Sequence, residues 1–192
     1  SVNIVIDNDL AGGNNAGTIR VVTEGLKPSN LVLADPVSTV ANITTLPTKP
    51  ITSGVSGLGG TVTATANINT AGTDTVTINY DISAGGFAGA LLQYDRPSTT
   101  TKEVKDLSAI SNFVFGVTAP VNNSQVKVEF VDSTGAVKIL YLQNTGTAEQ
   151  FYKIPKSYLT GVNLKLITSI NFIVDGTLTT VLTGALNVRT NG

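Results

Sequence analysis

The chain has no cysteine, histidine, tryptophan or methionine, and only 13% of its 192 residues are charged. Without cysteine there are no disulfides, thiolate metal sites or thiol nucleophiles. Without histidine there is no imidazole base, no Ser-His-Asp arrangement and no histidine-built metal centre. The 12 basic and 13 acidic residues leave a formal net charge of -1, so no basic field draws in nucleic acid and no acidic tail stands out. No apolar run approaches the roughly 20 residues that span a bilayer. Ser1 opens directly on a strand-like segment without a charged and apolar leader, and even an initiator methionine is missing. A soluble chain, mature or cut from something longer, is the expectation.

What is present points to β structure. A hydrophobic content of 41% over this length is enough for one sizeable core, and many short strands predict one domain over residues 1–192. Thr, Asn, Gly and Ser fill polar positions where cytosolic domains carry Lys and Glu, which points to an extracellular or cell-surface location.

The chain is organised around Asp106 to Gly135. Phe113, Phe115 and Val117 alternate with smaller residues, and Val126, Val128 and Phe130 alternate with Gln125, Lys127 and Glu129. Ala119 to Ser124 lies between them with a proline and paired asparagines, so the two runs read as a hairpin in the middle of a sheet. Upstream, strands are predicted at Val2 to Ile6, Thr18 to Thr23, Asn30 to Ala34, Thr61 to Asn69, Val76 to Ile82 and Ala88 to Tyr94. Residues 35–60, rich in Thr, Pro, Ser and Gly, read as a long irregular surface connection. Downstream, Val137 to Leu142, Gln150 to Ile154, Ser169 to Val174 and Leu178 to Arg189 are strand-like, with Asp175-Gly176 as a turn and at most one helical turn in Ser157 to Leu166. About ten strands without a sustained helical period predict an all-β sandwich or barrel.

Several of these segments also resemble a known family. FAGALLQ, DLSAISNFVFGV, QVKVEFVDSTG and EQFYKIPKSYLTGVNLKLITSINFIVDG are similar to the galactose-binding-like jelly rolls of many carbohydrate-binding modules. The shared features are the Asp-Leu-Ser element before Phe113, the turn from Asp132 to Gly135, and Phe151, Ile154, Pro155, Ile167, Ile170 and Phe172. Residues 74–190 carry the resemblance, with a looser likeness in IDNDLAGGNNAG. It implies a jelly-roll β-sandwich of two stacked, mainly antiparallel sheets, and glycan or polysaccharide as ligand.

Two sites follow. Such modules stack sugar on exposed aromatic rings. With Tyr80 and Tyr141 assigned to core faces, Tyr94, Tyr152 and Tyr158 remain, and only Tyr94 has a polar set beside it, giving Gln93, Tyr94, Asp95 and Arg96 as the candidate ligand-binding group; the alternative is that Tyr94 closes the core on the face it shares with Ala88, Ala90 and Leu92. The oxygen-rich loop after the first strand reads either as turn chemistry or as ligands for Ca²⁺, which takes about 6 to 8 oxygens. The resemblance places one structural Ca²⁺ on Asp7 or Asp9 and on a last-strand position that here is Asn187.

A glycosidase could still work with two carboxylates roughly 5 to 9.5 Å apart. Asp81, Asp95, Asp106, Glu129 and Asp132 are of the right type, but a non-catalytic glycan-binding domain is the expectation. The alternative is a structural or adhesive subunit of a cell-surface or extracellular fibre, assembling with copies of itself. If Val137, Ile139 and Tyr141 face the core, then Leu140 and Leu142 face outward with Leu91, Val114 and Ile173. Such an apolar face needs the 35–60 connection or another chain to cover it.

Overall fold

The computed structural model describes residues 30–47, 51–56, 61–67, 74–83, 85–95 and 99–191, with the backbone alone over 51–56 and 61–67. The strands expected at Val2 to Ile6 and Thr18 to Thr23, the loop with Asp7 and Asp9, and Arg96 lie outside the described residues.

Eleven strands are described: β1 Leu31–Val32, β2 Ile51–Ser56, β3 Thr61–Asn67, β4 Asp74–Asp81, β5 Phe87–Gln93, β6 Asn112–Thr118, β7 Ser124–Asp132, β8 Val137–Thr145, β9 Gln150–Pro155, β10 Ile167–Asp175 and β11 Thr183–Asn191. Short 3-10 turns occur at Val40–Asn42 and Lys156–Tyr158. No helix among the described residues is long and apolar enough to cross a membrane.

The strands form a six-stranded sheet in the order β1-β8-β7-β10-β5-β2 and a five-stranded sheet in the order β3-β4-β11-β6-β9. From β4 to β11 the chain changes sheet at every connection except the β7–β8 hairpin. That alternation makes the fold a jelly roll, and the expected class holds.

Period-2 alternation produces the core. β7 buries Val126, Val128 and Phe130 and leaves the residues between them half-exposed. Phe113 of β6 meets Phe130 of β7 edge-to-face at 5.1 Å between centroids, and Phe115 meets Phe172 of β10 at 5.2 Å. Both contacts cross from sheet to sheet, which corrects the expected hairpin: β6 and β7 face each other through the core and are not paired. Residues 119–123 arch over the end of the sandwich, with Asn123 at φ 62. A turn-rich segment looks the same in sequence whether it closes a hairpin or crosses between layers.

β8 has the opposite parity to the one expected. Leu140 and Leu142 are fully buried, while Val137 and Ile139 are exposed and Tyr141 is half-buried on the outer face. The register sets this, because Leu140 pairs with Val128 and Leu142 with Val126, both core residues. Both parities of β8 are apolar, so alternation alone could not choose between them.

Within the expected 35–60 connection, residues 51–56 form a strand. This strand, β2, pairs antiparallel with β5, and β3 pairs with β4, so the β2–β3 unit lies along the edges of both sheets on one side of the sandwich. On the other side β1 pairs with β8, and Ala34 bridges to Tyr152 of β9. β2 and β3 are thus the outermost strands on one side, and β1 and β9 on the other.

The same connection fills a split between β6 and β11, which pair only through Gly116–Thr118 and Asn187–Arg189. Past that point the Thr44 hydroxyl donates to Asn112 O at 2.7 Å and accepts from the Val114 N–H at 3.1 Å, standing in for a strand. Ile43 and Leu46 beside it are buried.

The last strand begins at Thr183, later than the expected Leu178. The N–H groups of Leu178 and Thr179 turn back onto Asp175 O, which makes 176–182 a loop.

Candidate functional site

The structure places the Tyr94 ring in the core, 1% exposed. Its backbone N–H donates to Thr168 O at 2.7 Å, and burial pushes the phenol well above its usual range. Gln93 is half-buried at the end of β5, opposite Ser169. The Asp95 carboxylate accepts the Glu103 N–H at 2.9 Å and so ties down the following loop. Gln93, Tyr94 and Asp95 are therefore neighbours, but they present no aromatic face to a ligand. Tyr152 is also fully buried, and Tyr158 is half-buried.

Asn187 lies on exposed β11 surface and accepts from the Thr77 hydroxyl at 2.7 Å. Among the described residues no group of three or more His, Cys, Asp or Glu is placed to hold a metal. The Asn187 side-chain oxygen keeps one lone pair beyond that hydrogen bond, but the other expected Ca²⁺ ligands, Asp7 and Asp9, lie outside the described residues.

Most of the candidate carboxylates shape turns. Asp81 accepts from the Ser83 N–H and hydroxyl at 3.0 and 2.6 Å, and Asp106 from the Ser108 N–H at 2.8 Å. The side-chain hydrogen bond from Ser83 or Ser108 is the main reason each carboxyl sits below its ordinary value. Asp132 is the most heavily used. Its Oδ1 accepts from the Thr134 hydroxyl and N–H and the Ala136 N–H, and its Oδ2 accepts from the Asn163 N–H at 2.8 Å. Glu129 instead bridges Lys127 and Asn171 on the outer face of the six-stranded sheet.

The exposed aromatic ring missed in the sequence is Phe87, at the opposite end of β5, 38% exposed. The parity that puts Ala88, Ala90, Leu92 and Tyr94 on the core face puts Phe87 on the outer one, and this signal was already present in the alternation. Phe87 pairs with Asp175 of β10 and lines a groove of about 510 Å³ with Ser83, Gly85, Gly86, Thr177 and Leu182. Gly85 and Gly86 have φ of +96 and +102, a backbone form open to glycine, and this brings the main chain to the groove wall beside the ring. Asp175 Oδ1 accepts from the Thr177 N–H and hydroxyl at 2.8 and 2.6 Å, which fixes the carboxylate in place. The groove thus combines a partly exposed aromatic ring, a held carboxylate and hydroxyls, at a loop-bearing end of the sandwich.

A second groove, also about 510 Å³, runs between the 35–42 segment and β6 and β9, lined by Asp35, Ser38, Asn42, Asn112 and Lys153. Lys153 Nζ lies 3.2 Å from Asp35 Oδ2. The Val37 N–H is the main influence holding Asp35 below its ordinary value, with Lys153 and Ser38 adding to it. No aromatic ring lines this groove.

No protein-family model and no curated protein matches the chain. Among solved structures it is similar to the family 11 carbohydrate-binding module of the cellulosomal cellulase Lic26A-Cel5E of Clostridium thermocellum, at 16% identity and TM-score 0.48, over 73% of this chain and 85% of that one. A family 11 module from the same organism in complex with a β-1,3-1,4-mixed-linked tetrasaccharide gives 15% identity and TM-score 0.49, over 73% of this chain and 86% of that one. An exo-β-agarase gives 11% identity and TM-score 0.45, over 71% of this chain and 22% of that one. At these values the likeness is one of chain course, and the jelly-roll assignment rests on the strand order itself.

Proposed function

We propose that the chain is a non-catalytic glycan-binding domain of the extracellular or cell-surface kind, and that the Phe87 groove is its site. The observation that carries the reading is the Phe87 ring, open to solvent on the wall of a groove that also holds Asp175, Ser83 and Thr177. A pyranose presents an apolar face ringed by hydroxyls. An open ring takes the first, and a fixed carboxylate with neighbouring hydroxyls takes the second. Support for the location comes from the polar positions being filled by Thr, Asn, Gly and Ser more than by Lys and Glu.

The test is affinity electrophoresis against a panel of soluble polysaccharides, following a glycan array that selects them. The native chain is retarded by at least one polysaccharide, and Phe87→Ala weakens this by about tenfold or more, the scale of a buried anchor in an interface. Absence of binding across a broad array overturns the reading.

A second reading, a self-assembling structural or adhesive subunit, is favoured by one observation. The Tyr141 N–H of β8 bonds Asn30 O, so the backbone groups on that side of β8 face away from β7, and β1 covers only Tyr141 and Leu142. Val137 and Ile139, exposed on the remaining stretch, give a second copy something to pair with. Sedimentation velocity across a concentration series checks it: a single monomeric species at all concentrations removes it.

A further inference from the structure

On the outer face of the six-stranded sheet, Lys127, Glu129 and Asn171 form a triad across paired strands β7 and β10. Lys127 Nζ lies 3.2 Å from Glu129 Oε1, and Asn171 Nδ2 donates to Glu129 Oε2 at 3.1 Å. One carboxylate thus contacts a primary amine with one oxygen and a carboxamide nitrogen with the other. The setting is unusually dry for an outer sheet face. Asn171 is 8% exposed, and the side chains of Glu129 and Lys127 are 17% and 23% exposed. Apolar residues stand opposite each member in the ladder: Ile173 and Tyr141 beside Lys127, Ile139 beside Glu129 and Leu91 beside Asn171. Asn171 Oδ1 is buried without a hydrogen-bond partner, so the fold does not use this carboxamide as a fully satisfied polar group.

We propose that this triad is a self-modification site, at which Lys127 and Asn171 join through an amide bond between Lys127 Nζ and Asn171 Cγ. Lys127 stands opposite Ile173, and Asn171 opposite Glu129, so the two are diagonal neighbours, a spacing of about 7–8 Å that long side chains span. Glu129 takes a proton from the ammonium through Oε1, and the freed amine attacks Asn171 Cγ. The carboxyl then turns about its Cγ–Cδ bond and passes the same proton to Nδ2, which gains a lone pair once Asn171 Cγ is tetrahedral and is the nitrogen that must leave. A second proton follows the same route, the Cγ–Nδ2 bond breaks and ammonium departs. Lysine ammonium plus carboxamide therefore gives a secondary amide plus ammonium, with no oxidant, cofactor or added water. Holding amine, carboxamide and carboxylate together on a rigid sheet supplies the proximity that such a step needs. In a chain without cysteine, the product is a covalent staple between adjacent strands that no disulfide can provide.

Intact-mass spectrometry of the purified full chain, followed by peptide mapping, tests this. The expected result is a mass below that of the sequence by one ammonia, with a branched peptide joining Lys127 to Asn171. Glu129→Gln and Lys127→Arg are each expected to show the unmodified mass for their own sequence. A native chain at full sequence mass overturns the proposal. So does an ammonia deficit without the branched peptide, as cyclisation of Asn191 onto the Gly192 nitrogen would produce.

Discussion

Phe87 and Tyr94 lie at the two ends of the β5 run and on opposite faces of one sheet, the first open to solvent and the second sealed in the core. Successive strand residues point to opposite sides, so an odd offset between two positions separates them by the full thickness of the sheet. The two aromatics therefore have different roles, one in stability and the other at the surface.

The first prediction follows from that separation. Tyr94→Ala empties a fully buried ring site and is expected to cost about 3–5 kcal/mol, the range for deleting a large aromatic from a core. Phe87→Ala is expected to change stability by no more than about 1 kcal/mol, since an exposed ring contributes little to folding. Urea denaturation of both variants checks this, and equal losses would contradict it.

Asp132 gives a prediction about pH. Its carboxyl is held below the ordinary value chiefly by the Thr134 hydroxyl, with the N–H groups of Asn163, Thr134 and Ala136 adding to it. A folded-state value below the unfolded one means that the group contributes stability above the unfolded carboxylate range, near pH 4, and loses it as pH falls through the folded value. Asp35, Asp81 and Asp106 shift in the same direction and add to the trend. The urea midpoint of the native chain is expected to hold from neutral pH to about pH 5 and drop below about pH 4. Asp132→Asn is expected to lower the midpoint at neutral pH and flatten the acid limb, because its amide nitrogen cannot accept the Asn163 N–H.

Much of the fold was legible in the sequence where one face of a strand is buried and the other wet. β4 and β7 came out with their faces correct, because Ile78 and Val128 alternate with polar neighbours, whereas β9 did not, since Tyr152, kept as a possible platform, is buried beside Ile154 on the core face. β8 was misoriented because Leu140 and Ile139 are equally apolar and only pairing with β7 separates them. β2 was missed because Thr52, Ser53 and Gly54 carry no alternation, and its place as an edge strand is set by its pairing with β5. The site was partly legible. Asp175-Gly176 read correctly as a turn, but only the strand order brings it and the Gly85-Gly86 backbone beside Phe87.

Thr44 supplies a third prediction. Its hydroxyl serves both Asn112 O and the Val114 N–H where β6 and β11 part. Thr44→Val keeps the shape and leaves the part-buried Val114 N–H without its acceptor, at an expected cost of about 1–3 kcal/mol, while the exposed Asn112 O turns to water. Thr44→Ser keeps the hydroxyl and is expected to recover most of the loss. Thermal melts of the two variants distinguish this role from simple packing, for which Val would be the milder change.

Asp175 separates the turn from the proposed glycan site. Its Oδ1 holds Thr177 through two hydrogen bonds, so Asp175→Ala is expected to loosen the 176–182 loop, lowering both stability and glycan retention. Asp175→Asn keeps an oxygen in that place, and asparagine makes the same turn, so the fold is expected to melt within about 1 kcal/mol of the native chain. What asparagine removes is the charge, and a charged acceptor makes the stronger hydrogen bond to a sugar hydroxyl. Retention on the polysaccharide chosen with the native chain is therefore expected to fall several-fold in Asp175→Asn while the melting curve stays in place. A drop in retention seen only when the melting curve also moves would assign Asp175 to the turn alone and leave the Phe87 ring without its polar partner.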